Sequence, residues 1–142
     1  MKVISVKEPF ASLIASGMKT IETRSFKTNY RGELFIHASG KGIAKEFIND
    51  FVEELIENID MNYGNIICRC NLTDCILMDE EFISSVRQNL IEYNCGEYKV
   101  GRYAWILEDV EPIYPIFAKG KLNIWNFDGE YELIKTSGSE GL

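Results

Sequence analysis

From Lys2 to Lys7 the chain reads KVISVK, where Val3 and Ser5 alternate with Ile4 and Val6, the period-2 pattern of a strand. EPFASLIASG follows, with Pro9 where a helix starts, Gly17 where one stops, and Phe10, Leu13 and Ile14 on one face, so the spacing predicts a short helix. KTIETRSF predicts the next strand. Its alternation sends Thr20, Glu22 and Arg24 one way and Ile21 and Thr23 the other; with Ile21 toward the core, Glu22 and Arg24 project together on the opposite face. The turn TNYRG then leads into GELFIHAS, with Leu34, Ile36 and Ala38 opposite Phe35 and His37.

IAKEFINDFVEELIENI places Ile43, Phe47, Phe51, Val52, Leu55 and Ile59 at helical spacing and predicts one long amphipathic helix. Its acids, Glu46, Asp50, Glu53, Glu54 and Glu57, read as a solvated face. NIICRCNLTDCILM is a long strand interrupted only by Arg69, Asn71 and Asp74. EEFISSVRQNLIEY is a further helix, capped by Asp79 and packed through Phe82, Ile83, Val86 and Leu90. RYAWILEDV, YPIFAKG and KLNIWNF close the pattern as strands, and KTSGSEGL reads as a loose tail. About six strands with two or three helices, in the order βαββαβαβββ, suit an α+β fold: a small mixed β-barrel with helices packed outside it. Residues 1–135 are expected to form a single domain and 136–142 a flexible C-terminal tail.

Composition narrows the class. With 46% hydrophobic residues and only 3 prolines the chain has the make-up of a globular fold. No apolar run approaches the roughly 20 residues of a membrane-spanning helix, and MKVISVKEPF lacks a signal-peptide layout, so a cytoplasmic protein with no membrane partner is expected. Cys68, Cys70, Cys75 and Cys95 form no Cys-x-x-Cys pair, and His37 is the sole histidine. Free thiols filling the core are therefore expected, with neither a metal site nor a cofactor.

Charge is distributed unevenly. The formal net charge is −7, yet residues 1–41 hold seven Lys/Arg (Lys2, Lys7, Lys19, Arg24, Lys27, Arg31, Lys41) against Glu8, Glu22 and Glu33, a net of +4 that leaves −11 for the remainder. An acidic body repels a long phosphate backbone, so broad nucleic-acid binding is disfavoured and DNA is not an expected partner. A focused basic site for one nucleotide or a short single strand remains compatible with this pattern.

Gly17-x-Lys19-x-x-Glu22-x-Arg24, directly after a helix opened by Pro9 and Phe10, resembles the signature of the ASCH domain, a relative of the PUA RNA-binding domain. RGELFIHAS is similar to the family's next strand, IICRCNLTDCILM to its central strand, and YAWILEDVEPI with KGKLNIWNF to its closing strands; the likeness runs from Met1 to about Phe127. It implies a PUA-like β-barrel with flanking helices and a cleft that recognises RNA or a modified nucleoside. Carried onto this chain, it implies binding by Lys19, Glu22 and Arg24, with Asp74 as a further acid near the cleft. The set suits a polar base: Arg24 offers a planar fork of donors, Lys19 a mobile cation and Glu22 an acceptor for exocyclic amines. Phe10, Phe26 or Tyr30 are candidates for a stacking surface. A same-face ion pair that merely braces the barrel is the structural alternative for Glu22 and Arg24.

The resemblance also raises catalysis. Some small ASCH proteins are amidohydrolases that remove the acetyl group of N4-acetylcytidine, with a lysine and a threonine two residues before the arginine; a ribonuclease activity belongs to others. Here the threonine position holds Glu22, while Thr23 faces away. Lys19 could act as a base only with a pKa far below the ordinary ~10.4, and a carboxylate beside it pulls the other way. Glu22 could instead act as a general base on water, with Lys19 or Arg24 steadying an oxyanion, so Lys19 and Glu22 are the candidate catalytic pair. His37 is expected to be packed and hydrogen-bonded, and Trp105 and Trp125 to lie in the core.

Overall fold

The computed structural model describes residues 1–42 and 45–135 of the 142. Ile43, and with it the start of the expected long helix, lies outside the described residues, as does the expected tail at 136–142. Eleven segments follow one another: β1 (Lys2–Val6), α1 (Phe10–Ala15), β2 (Ile21–Arg24), β3 (Gly32–Ala38), a 3₁₀ turn (Lys45–Phe47), α2 (Asp50–Leu55), β4 (Asn65–Leu77), α3 (Glu80–Val86), α4 (Leu90–Asn94), β5 (Tyr103–Phe117) and β6 (Ile124–Asn126). The strands form one sheet in the order β2-β5-β4-β3-β1-β6 that curls into a half-barrel, the α+β architecture of the PUA-like class. Every neighbouring pair is antiparallel except β1 with β3.

Period-2 alternation divides the sheet's two faces as expected. Ile4, Val6, Leu34, Ile36 and Ala38 join Cys70, Leu72, Trp105 and Leu107 beneath α1, while Val3, Phe35, Ile66, Ile113 and Trp125 pack on the other side. Each fully buried aliphatic or aromatic side chain of this kind contributes roughly 1.5–3 kcal/mol. α1 is the helix expected between Pro9 and Gly17; Leu13 and Ile14 are buried, and Gly17 leaves it at φ 86°. Glycine takes that left-handed conformation without the clash a Cβ would bring.

Three elements differ from expectation. RYAWILEDV and YPIFAKG are one continuous strand, because Asp109, at φ 53°, absorbs the kink locally while pairing with β4 runs on through register shifts. The expected helix from Ile43 to Ile59 is, where described, a 3₁₀ turn and the separate α2: the Asn49 side chain accepts from the Val52 amide and starts a new helix. Phe47 and Phe51 are consequently exposed, and among the described residues of the expected apolar face Val52 alone is fully buried. Likewise Asn89 accepts from the Glu92 amide and divides EEFISSVRQNLIEY into α3 and α4, leaving Leu90 exposed. The Asp79 cap of α3 is as expected. Among the described residues no helix is long and apolar enough to cross a membrane.

Candidate functional site

β2 is an edge strand of the sheet. Ile21 packs with Met78, Ile83 and Ala104 under α3 and α4, so it does face apolar neighbours. Glu22 and Arg24, paired in register with Trp105 and Tyr103 of β5, lie on the opposite face. There a cleft of about 1040 Å³ separates β2 from the ends of β1 and β3. Both Arg24 Nε and Nη2 converge on one oxygen of Glu22, Oε2, at 3.0 and 2.9 Å, and Nη2 also donates to the Ser5 carbonyl at 2.7 Å. The pair is therefore oriented by β1 as well as by its own strand. Glu22 Oε1 and Arg24 Nη1 make no hydrogen bond among the described residues, which leaves one acceptor and one donor of this pair for a ligand.

Lys19 sits behind this wall. It is 1% exposed, and its Nζ donates to the carbonyl of Ile21 and, at 2.6 Å, to that of Cys95, with Glu22 Oε1 at 3.9 Å. The Lys19, Glu22 and Arg24 side chains thus converge, but Lys19 braces Glu22 from the protein side and does not line the cleft. Its burial is supported by the Glu92 carboxylate on α4, which takes the amide and hydroxyl of Thr20 at 2.7 and 2.6 Å and fixes the chain between Lys19 and β2.

Asp74 does not join them. It stands on the exposed part of β4, 3.7 Å from the Arg31 guanidinium, and is absent from the cleft lining. Tyr30 is also elsewhere: its hydroxyl is bonded to the Glu33 carbonyl and its ring packs on the main core, while burial and then Glu33 push its pKa up. Phe10 and Phe26 do line the cleft, and Phe26 stands edge-on to Trp105 at 5.6 Å. Phe47, exposed by the break before α2, adds a third ring.

His37 is buried and has both nitrogens engaged, Nδ1 with the Ser5 hydroxyl at 3.0 Å and Nε2 with the Ala118 carbonyl at 2.7 Å. Because a carbonyl only accepts, Nε2 carries the proton, and in the neutral ring Nδ1 accepts from Ser5. Trp105 and Trp125 are buried as expected. Three of the four free thiols are core residues, and burial raises the pKa of Cys68, Cys70 and Cys95. Sequence reasoning missed most of the cations that line the cleft. Lys7, Arg24, Lys41, Arg102, Lys119 and Lys121 line the cleft against Glu22 and Glu97, an excess of positive charge in a chain of net −7. Lys7 and Lys41 belonged to the basic amino-terminal third, whereas nothing local marks Lys119 and Lys121.

The family model of the ASCH domain matches residues 4–117, most of the chain. The chain belongs to the ASCH domain family. Over 135 residues it is 30% identical to activating signal cointegrator 1 of Mus musculus, a match that takes in 89% of this chain but 22% of that protein, so the chain spans about a fifth of that relative's length. The crystal structure of ASCH from Zymomonas mobilis superimposes with a TM-score of 0.52 at 18% identity, covering 98% of this chain and 90% of that one, and shares the fold.

Proposed function

We propose that this ASCH domain binds RNA or a modified nucleoside in the cleft, with the Glu22–Arg24 pair reading the polar edge of a base. The carrying observation is the pair itself, whose hydrogen bonds all fall on Glu22 Oε2 and the Ser5 carbonyl while Glu22 Oε1 has only the Lys19 ammonium at 3.9 Å behind it, so that Glu22 Oε1 and Arg24 Nη1 keep hydrogen-bonding capacity in a cleft also lined by Phe10, Phe26 and Phe47. A base edge that places a donor beside an acceptor satisfies both, and the phenyl rings supply faces for stacking. Lys19 acts through Glu22 by fixing its orientation.

Arg24→Ala removes the donor and unseats Glu22 while leaving the core intact. A charge-assisted hydrogen bond is worth about 1.5–3 kcal/mol, so the affinity for short single-stranded RNA or ribonucleosides should drop at least about tenfold. Fluorescence anisotropy and NMR titration measure this, and an affinity unchanged for every ligand that the wild type binds removes the cleft from consideration.

A second reading, hydrolysis of an acylated nucleoside such as N4-acetylcytidine, draws on the same open oxygen of Glu22, placed to activate water with Arg24 beside it. Lys19 has no part in contacting that substrate, since its nitrogen is spent on two carbonyls behind the wall. A ribonuclease using His37 is less favoured still, both ring nitrogens being engaged. Acetate release from N4-acetylcytidine tests the hydrolase; none at high protein concentration ends it.

A further inference from the structure

The cleft has two unlike ends. At one, Glu22 meets Arg24 and Glu97 meets Arg102 at 3.3 Å, so charge is balanced within the protein. At the other stand Lys7, Lys41, Lys119 and Lys121, none of which has an ion-pair partner among the described residues although acids outnumber cations in the chain. We propose that this second end is a phosphate seat, so that the cleft takes nucleoside phosphates, free or within a strand, in preference to free nucleosides. The inference rests on the base-reading role given above to Glu22 and Arg24 and names the class of ligand that goes with it.

Topology brings the four lysines together. β1 and β3 are parallel, with Val6 opposite Ala38, so their carboxyl ends leave the sheet side by side; the Ser39 amide donates to the Val6 carbonyl at 2.8 Å and keeps the exits joined. β6 runs antiparallel to β1, with Ile124 opposite Ile4, so the segment entering β6 arrives at that same end. Lys7 directly follows β1, Lys41 follows β3, and Lys119 and Lys121 precede β6.

The turn carrying Lys119 and Lys121 is held in place. The Trp125 indole donates to Ser5 Oγ at 3.2 Å, the Ser5 hydroxyl donates to His37 Nδ1, and His37 Nε2 donates to the Ala118 carbonyl. Gly120 lies so close to this network that a Cβ there would come within 2.9 Å of both His37 Cε1 and Ser5 Oγ. The same Ser5 presents its carbonyl to Arg24, so one residue of β1 ties the phosphate end to the base end. Four like charges gathered without a carboxylate repel one another, and a phosphate, with about −1.5 to −2 charges as a monoester and about −1 within a strand, relieves that repulsion where a neutral ribose does not.

Titration of the full chain with the four ribonucleosides, their 5′-monophosphates, inorganic phosphate and a short single-stranded oligoribonucleotide, at about 50 and about 200 mM salt, tests the seat. Monophosphates are expected to bind at least about tenfold tighter than the matching nucleosides, with a gap that narrows as salt rises. The double variant Lys119→Ala, Lys121→Ala should close the gap and leave nucleoside binding unchanged, whereas Lys119→Arg with Lys121→Arg should keep it. An oligoribonucleotide tighter than the monophosphates identifies a strand as the source of the phosphate; equal affinity identifies a mononucleotide. Nucleosides that bind as tightly as monophosphates, with Arg24→Ala still weakening both, overturn the seat and leave the base-reading cleft standing. Inorganic phosphate that binds as tightly as the nucleotides also overturns it, since the two ends would then not act on one ligand. Binding that is absent, or that ignores Arg24→Ala, overturns the base-reading cleft and the seat with it.

Discussion

Glu92 is 3% exposed, and its carboxylate accepts from the Thr20 amide and hydroxyl and, at 3.3 Å, from the Ile21 amide. Replacing it with alanine strands three donors at the start of β2, and an unsatisfied buried donor costs about 1–3 kcal/mol, so Glu92→Ala should lower stability by about 3 kcal/mol and loosen the strand that presents Glu22. The urea midpoint reports the loss; an unchanged midpoint would show that α4 does not clamp β2. Glu8 plays a similar part for α1, holding the Ser12 amide at 2.8 Å and hydroxyl at 2.5 Å and the Asn62 amide at 2.8 Å. Neither carboxylate was legible in the sequence, where each looks like any acid at a helix start, because the groups that use Glu92 lie about seventy residues away. Glu22 and Arg24 were legible for the opposite reason: strand alternation is local, and it placed them on one face. Lys19 was legible as a neighbour of that pair but not as a buried one, since its deciding partner is the carbonyl of Cys95. Asp74 lies away from the cleft because strand position alone does not tell where a curled sheet carries a side chain, and Tyr30 because alternation does not direct a side chain in a turn.

Two asparagines decide how the helices are cut. Asn49 and Asn89 both sit inside apolar periodicities that would otherwise run on, and each turns its side chain back to the amide three residues ahead. Asn89→Ala removes the α4 cap, which is worth about 1 kcal/mol in comparable helices, and should lower the urea midpoint accordingly without changing the slope of the transition. A change of that size would confirm that the cap, rather than packing of Leu90, begins α4; no change would assign the break to tertiary contacts. Neither asparagine stands out in the sequence, because a run such as Phe47, Phe51, Val52, Leu55 outweighs a single polar residue in any periodicity count. The break has a consequence for the cleft, because it is the displaced Phe47 that becomes available as a lining ring. β5 shows the reverse case, where Asp109 and two prolines suggest a boundary that pairing with β4 overrides. Pro112 and Pro115 are tolerated because β2 pairs with residues 103–106, and the later part of β5 is flanked on that side, among the described residues, by no further strand but by an isolated bridge from Ile113 to Leu133.

At the scale of the whole molecule, sequence patterns supply strands but not their order, and the parallel pairing of β1 with β3 is what gathers the lysines at one end of the sheet. The same tightly packed sheet makes stability depend on alkaline pH. Cys70, with its thiol donating to the Leu34 carbonyl at 3.4 Å, is pushed from 9.0 up to about 12 by burial, against a smaller downward pull from Arg69. Burial, followed by Cys70, raises Cys68 in the same direction, and burial, followed by Glu92 and Glu22, raises Tyr98. Above about pH 9 the unfolded chain releases the Cys70 proton while the folded chain retains it. The unfolded state then binds fewer protons, so stability is complete below about pH 9 and is lost progressively as pH rises toward 12. At 1.36 kcal/mol per unit, Cys70 alone should withdraw about 2 kcal/mol by pH ~10.5. Urea unfolding at pH ~8.5 and ~10.5 measures the fall, and Cys70→Ala, although less stable at both values, should show a distinctly shallower one. Parallel losses in the wild type and Cys70→Ala would mean that the alkaline sensitivity arises from other groups, such as Tyr98.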